Sequence, residues 1–459
     1  MNTEYCIDRH WKSVSPQART KIIPVIMNIA ERYKDPEHVR TLMLQEHQEE
    51  LDGKHISSWE DLNLAMGFSG ICLLLGQMDR LYPEGGWDYV GHRYLQLIQK
   101  TLEEKGVYSM SVWSGLSGIL VAIRSLSRNG TRYQTMTDTL TNLMADSLQV
   151  TFDQMRGRWL DDLQMSQYDV MEGLAGIGRA VLLFPDNARM KSVWQEIAEF
   201  FHQMSGTIDL NGQKVPAWYV SSKNQFLSHE KVIYPNGNFN VGMSHGITGP
   251  LSFLSLSKLH GMEYPSMEED IRRLADWVCE WKSTDSYGLI WPKRLPYEVW
   301  ASGSLDANSV GENQESWCYG TPGVARSLWL AGKAVQNDTY AQVAVDGYLG
   351  ISNRPREKWG LYSGTFCHGL SGLLHTVQRM YSDTGVDEFG NLRDRLVDEV
   401  LKLYEPDSMF GYYDYDQSKG YLRKTNQAGL LNGAAGTALV LASLLGNEEP
   451  DWDAVFLIR

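Results

Sequence analysis

The chain has 459 residues, 43% of them hydrophobic, with 15 tryptophans and a formal net charge of −14. That length exceeds one ordinary compact core and calls for several domains or a repeat architecture. The apolar content excludes a disordered chain, and the acidic balance excludes the Lys/Arg-rich surfaces that bind nucleic acid or anionic membranes.

The segment Met1–Trp11 carries charges and no apolar core, so it does not read as a secretory signal. The longest apolar runs, such as 71–75 and 119–123, fall far short of the roughly 20 residues that span a bilayer. The sequence therefore predicts a cytoplasmic protein with no transmembrane segment.

Pro16–Tyr33 reads as an amphipathic helix, with Ile22, Val25, Ile26, Ile29 and Tyr33 at helical spacing. A different unit then begins and recurs seven times: a Gly-x-x-Gly pair followed by an apolar run. The pairs are Gly67/Gly70, Gly115/Gly118, Gly173/Gly176, Gly246/Gly249, Gly320/Gly323, Gly369/Gly372 and Gly433/Gly436. One such pair means little, but seven define a repeat. Each following run is apolar nearly all round and predicts a buried helix. Met267–Trp281, with Ile271, Leu274, Ala275 and Val278 on one face, is a second example of the outer, one-sided kind.

Two stretches break the helical pattern. Residues 205–243 are rich in Asn, Gly, Ser and Pro, with β-like pieces at Val215–Val220 and Lys231–Tyr234, and predict a small inserted segment. The stretch 291–313, with Pro292 and Pro296, predicts an irregular connection near one face. The rest, 1–459, predicts one all-α domain of seven helix pairs. Such pairs either stack into an open solenoid or close into a ring; buried helices with glycine entrances suit the ring, an α/α toroid.

The five cysteines, Cys6, Cys72, Cys279, Cys318 and Cys367, are too dispersed for a disulfide framework. Cys6, Cys72 and Cys279 read as small core hydrophobes. Aligning the repeats on the first glycine separates the other two. The residue before that glycine is Met66, Ser114, Glu172, His245, Tyr319, His368 and Asn432, in order. The residue before that is Ala65, Trp113, Met171, Ser244, Cys318, Cys367 and Leu431. Equivalent positions in a ring converge at one end, so His245, Cys318, Cys367 and His368 are expected close together. Two thiolates and an imidazole suit zinc and leave one of its four coordination positions open, as catalytic zinc requires. His375, two turns beyond His368, reads as a packing residue. Asp169, four residues before Gly173, reads either as a turn or helix-capping carboxylate or as a functional one.

The stretches Ser244-His245-Gly246, Trp317-Cys318-Tyr319-Gly320 and Cys367-His368-Gly369 resemble the signature motifs of the lanthionine synthetase C-like (LanC) family. The seven glycine repeats extend the resemblance over nearly the whole chain. It implies a fourteen-helix α/α toroid, Zn2+ held by Cys318, Cys367 and His368, and catalytic roles for His245 and Asp169. It further implies a stand-alone lanthipeptide cyclase, which adds peptide cysteine thiols to dehydroalanine or dehydrobutyrine to close thioether rings. The implied partners are a dehydrated precursor peptide with its leader, a lanthipeptide dehydratase and a transporter. One position departs from the pattern: Gln314 stands four residues before Cys318, where these cyclases often carry arginine. The same motifs also fit addition of glutathione to dehydroamino acids, or a non-catalytic, zinc-stabilised peptide-binding scaffold.

Overall fold

All seven Gly-x-x-Gly pairs stand at helix starts in the computed structural model, which describes residues 11–46, 49–51, 54–56, 58–305, 310–311, 313–416 and 423–459. The helices they open are Phe68–Leu81, Leu116–Leu126, Leu174–Val181, Thr248–Leu259, Thr321–Ala334, Leu370–Thr384 and Ala434–Ser443. They are buried nearly all round; every residue of Ala434–Ser443 is buried. Seven outer helices accompany them: Pro16–Arg32, Trp87–Lys105, Gln134–Met155, Ala188–Met204, Met267–Glu280, Asp338–Asn353 and Asp387–Lys402. These bury one face only, as Met267, Ile271, Leu274, Ala275 and Val278 do in Met267–Glu280.

The two classes begin differently, and the sequence explains why. Three outer helices start on polar caps: the side chain of Ser15 accepts the Ala18 N–H, and those of Asn187 and Asn337 each accept two backbone N–H groups of the first turn. Six of the inner helices start on glycine, and Thr248–Leu259 one residue later on Ile247, all without a side-chain cap, because the preceding loop folds back onto the helix. A Cβ at Gly436 would lie 1.9 Å from the Leu430 carbonyl oxygen, and one at Gly323 would lie 2.3 Å from that of Trp317. In both repeats the second glycine meets the carbonyl six residues earlier, so no larger side chain fits there.

The chain forms two compact units. One comprises Met1–Ser109, Trp113–Thr137 and Leu361–Trp452; the other Met110–Val112, Asp138–Gly360 and Asp453–Arg459. Within the first, Pro16–Arg32 packs on Ala434–Ser443, which packs in turn on Phe68–Leu81, so the first and last helices of the chain are neighbours. Within the second, Thr248–Leu259 lies between Leu174–Val181 and Thr321–Ala334. The last residues of the chain thread among these helices. Trp317 Nε1 donates to the Phe456 carbonyl at 3.0 Å, Arg326 Nε to that of Ile458 at 2.7 Å, and Arg179 to that of Arg459.

The segment 205–243 contains a hairpin, Thr207–Leu210 with Gln213–Pro216, and a strand, Asn238–Asn240, paired antiparallel with Arg294–Pro296. Val220 makes an isolated bridge to Asn238. The β-like piece expected at 231–234 is instead part of a helix, Ser228–Ile233. Its third position carries Glu230, whose carboxylate accepts the Leu227 N–H at 3.0 Å and fixes the helix start. Residues 306–309 and 312 of the irregular connection, and Cys6, lie outside the described residues. No described helix is long and apolar enough to cross a membrane.

Candidate metal centre and its acid–base pair

The loops before the glycine pairs are tied together backbone to backbone. In the first unit the Leu64 N–H donates to the Trp113 carbonyl at 2.8 Å, Leu431 to Ala65 at 3.0 Å, and Cys367 to Leu431 at 3.0 Å. In the second, Val170 donates to Ser244 at 3.1 Å and Ser244 to Cys318 at 3.3 Å. Neighbouring repeats thus present equivalent residues side by side, which is what the alignment on the glycines required.

The potential ligand atoms of Cys318, Cys367 and His368 all lie within 4.8 Å of one another. Two sulfurs and a ring nitrogen at this spacing fit zinc, whose bonds to them are roughly 2.3 and 2.0–2.1 Å. Ser316 Oγ lies 3.4 Å from Cys318 Sγ and also donates to the Tyr319 carbonyl at 2.5 Å, so the cysteine sits in a closed, internally bonded turn. Gly320 ends that turn at φ +119°, where a Cβ would lie 1.7 Å from the Gln314 carbonyl oxygen, so only glycine fits.

His245 is aimed by Asp169. The ring Nδ1 lies 2.6 Å from Asp169 Oδ2. The other oxygen, Oδ1, accepts the backbone N–H groups of Glu172 and Gly173 at 2.7 and 2.8 Å. Asp169 therefore caps the turn into Leu174–Val181 and bonds His245 at the same time. The carboxylate is almost wholly buried, with 2% of its side chain exposed, whereas the imidazole keeps 29% open. Since Nδ1 is engaged, Nε2 is the nitrogen available for proton transfer. The rings of Phe226 and Tyr319 lie beside the imidazole, with centroids 6.0 and 6.4 Å away.

Further groups that the sequence did not single out surround this pair. Tyr319 Oη accepts a hydrogen bond from Asn240 Nδ2 at 3.0 Å, and the phenol also bonds Arg294. Burial raises the phenol above its usual range, with Arg294 and Asn240 opposing the shift. Arg294 is itself paired with Glu230 at 2.6 Å. Lys293, whose carbonyl accepts the Val241 N–H at 3.1 Å, donates from Nζ to Gln314 Oε1 at 3.3 Å. Tyr319 lies inside the Trp317–Gly320 motif and was open to notice. Lys293 and Arg294 come from a connection with no motif, and only the pairing of Asn238–Asn240 with Arg294–Pro296 brings them in.

The remaining candidates are packing residues. His375 is fully buried, its ring 4.5 Å from that of Trp452. Cys72 is fully buried, and burial pushes its thiol well above the ordinary range; the Cys279 thiol is pushed up to about 11 by the same cause.

The model of the lanthionine synthetase C-like protein family matches residues 58–457. The chain belongs to that family. It is 21% identical over 382 residues to the nisin biosynthesis protein NisC of Lactococcus lactis subsp. lactis, an alignment covering 82% of this chain and 88% of NisC. The solved structure of nisin cyclase superposes with a TM-score of 0.74 at 20% identity, over 97% of this chain and 98% of the other. The family fold, an α/α toroid, is therefore the fold of this chain, with its small sheets as additions.

Proposed function

We propose that the chain is a zinc-dependent lanthipeptide cyclase, adding cysteine thiols of a dehydrated precursor peptide to dehydroalanine or dehydrobutyrine in the same peptide. The supporting observation is the juxtaposition of Cys318, Cys367 and His368, with the buried Asp169–His245 pair bonded into the loop neighbouring Cys318. Cys318, Cys367 and His368 would hold the ion. Bound there, zinc would supply ionisation of a thiol that is otherwise mostly protonated near neutral pH, with a pKa of about 8.5.

The chain's own groups carry the rest. Addition forms a bond between the thiolate sulfur and the β-carbon, breaks the carbon–carbon π bond and places negative charge on the acyl oxygen as an enolate. The α-carbon must then take up a proton, so the proton lost by the thiol is balanced. His245 Nε2 delivers that proton, while Asp169 fixes the ring through Nδ1. General acid–base assistance of this kind contributes ~10²–10⁴-fold. The Tyr319 phenol, held by Asn240 and Arg294, stands beside the imidazole as a polar group toward the developing charge. On this reading the enzyme works in the cytoplasm, downstream of a dehydratase and upstream of export by a transporter.

The test is metal content measured together with thiol consumption on a dehydrated, cysteine-containing peptide. About one zinc per chain is expected from a single site of three protein ligands. Cys318→Ala should lose both the zinc and thioether formation. Zinc without thiol consumption on any such peptide would favour the scaffold reading; consumption of glutathione in place of the peptide thiol would move the substrate class; absence of zinc from fresh protein would refute the reading.

A further inference from the structure

The candidate metal ligand His368 has a carboxylate at its back. Asp414, on the strand Tyr413–Asp416, places Oδ1 3.7 Å from His368 Nε2. That oxygen is held in turn: Ser363 Oγ donates to it at 2.7 Å and the Tyr415 backbone N–H at 3.0 Å. Ser363 also accepts the Tyr415 N–H through its hydroxyl at 2.8 Å, so serine, strand and carboxylate form one bonded unit. Ser363 and Asp414 are both buried, at 1% and 8% exposure. The strand is anchored by antiparallel pairing with Arg423–Asn426, where Thr425 stands opposite Asp414.

A buried carboxylate held this firmly, beside a histidine, has two conceivable uses. It could be a fourth ligand, or it could orient the histidine. The ligand atoms that converge belong to Cys318, Cys367 and His368, and Asp414 is not among them. We infer that Asp414 is a positioning residue: it accepts the His368 Nε2–H, fixes the tautomer and presents Nδ1 to the metal. The separation of 3.7 Å exceeds a direct N–H···O bond of ~2.9 Å, so the role requires the His368 ring to close on Asp414 when metal is bound. Such partners raise the basicity of a ligating imidazole and hold its plane, and their loss typically weakens metal affinity ~10–100-fold. Ser363 has the supporting role of holding Asp414 Oδ1 in place. The inference rests on the zinc reading of the preceding section, and its readout is affinity rather than turnover.

The experiment is competition for zinc between a chromophoric chelator and the full-length protein, in wild type, Asp414→Ala, Asp414→Asn and Ser363→Ala. Asp414→Ala should bind zinc ~10–100-fold more weakly, and Asp414→Asn, which keeps the shape and loses the charge, should fall between it and wild type. Ser363→Ala should show a smaller loss in the same direction. In cobalt-substituted Asp414→Asn, thiolate-to-metal charge transfer should still report two cysteine ligands, since only the histidine's support has changed. Should Asp414→Ala fail to fold, as judged by circular dichroism, Asp414→Asn decides. Wild-type zinc affinity in a folded Asp414→Asn or Asp414→Ala protein would overturn the inference alone. A wild-type protein that takes up no zinc would overturn the cyclase reading and this inference together.

Discussion

The loops of repeats one, two and seven and those of repeats four, five and six share one backbone design but carry opposite side chains. The former present Ala65-Met66, Trp113-Ser114 and Leu431-Asn432 before the first glycine; the latter present Ser244-His245, Cys318-Tyr319 and Cys367-His368. Both sets are joined to a neighbouring repeat through the same backbone hydrogen bonds, Leu431 to Ala65 in one case and Ser244 to Cys318 in the other. The apolar set shows what the repeat needs in order to fold: two glycines, a loop folded back and a buried helix. The polar set shows what has been grafted onto that frame. The candidate functional side chains thus come from the loops of repeats four, five and six, with Asp169 added from that of repeat three, while all seven loops share the backbone design.

The comparison makes its strongest claim about metal. Cys367→Ala should abolish zinc binding and thioether formation, whereas Leu431→Ala, at the equivalent position of the next repeat, should leave the zinc stoichiometry unchanged. Zinc analysis on the two purified variants tests this, and a metal-free Leu431→Ala protein would show that the two sets of loops are not separable. The next largest effect belongs to His245. His245→Ala should retain zinc and lose ~10²–10⁴-fold in turnover. Asp169→Asn should also lose turnover, and it carries an added stability cost because both carboxylate oxygens are bonded. Cyclisation by His245→Ala at the wild-type rate would remove the histidine from the mechanism.

The stability side is tested in the apolar set. Gly436→Ala places a methyl group against the Leu430 carbonyl and should destabilise by more than ~3 kcal/mol, at the severe end for single substitutions. Gly446, whose added Cβ would meet nothing closer than 3.7 Å, should tolerate alanine. Thermal unfolding of both variants checks the contrast; equal midpoints would show that the loop can shift to accommodate the methyl.

Much of this was legible in the sequence because repetition makes position readable. The seven glycine pairs gave the inner helices, and alignment on them brought Cys318, Cys367 and His368 into one group across 50 residues. The β-like reading of 231–234 failed because Val232 and Ile233, apolar yet exposed at 81% and 59%, belong to a helix fixed by the Glu230 cap rather than to a buried strand. Asp414 and Arg294 were illegible for a different reason. Each acts across a strand pairing or a loop contact, and neither occupies a repeated position, so no period in the sequence points to it.

The smallest predicted effect bears on Gln314, the position where the family resemblance leads one to expect arginine. A neutral amide there is usually a loss of charge, but Lys293 Nζ donates to Gln314 Oε1 at 3.3 Å. Among the described residues no carboxylate pairs with Lys293, whereas Arg294 beside it is neutralised by Glu230. A cation is therefore brought to this place by Lys293, next to the strand Arg294–Pro296, through the amide. It stands between Val241, which leads to His245, and the turn that leads to Cys318. A single charge-assisted hydrogen bond contributes ~1.5–3 kcal/mol, so Lys293→Met should lower kcat by ~10-fold or more while zinc content stays at the wild-type level. Lys293→Arg should recover most of that loss, because charge and not length is the property at issue. Steady-state kinetics on a dehydrated peptide separates the cases: a fall in kcat for Lys293→Met with recovery in Lys293→Arg assigns the cation to the reaction. Equal kcat in all three proteins would leave the lysine as a tie between two loops and put the burden of charge stabilisation on the Tyr319–Arg294 pair.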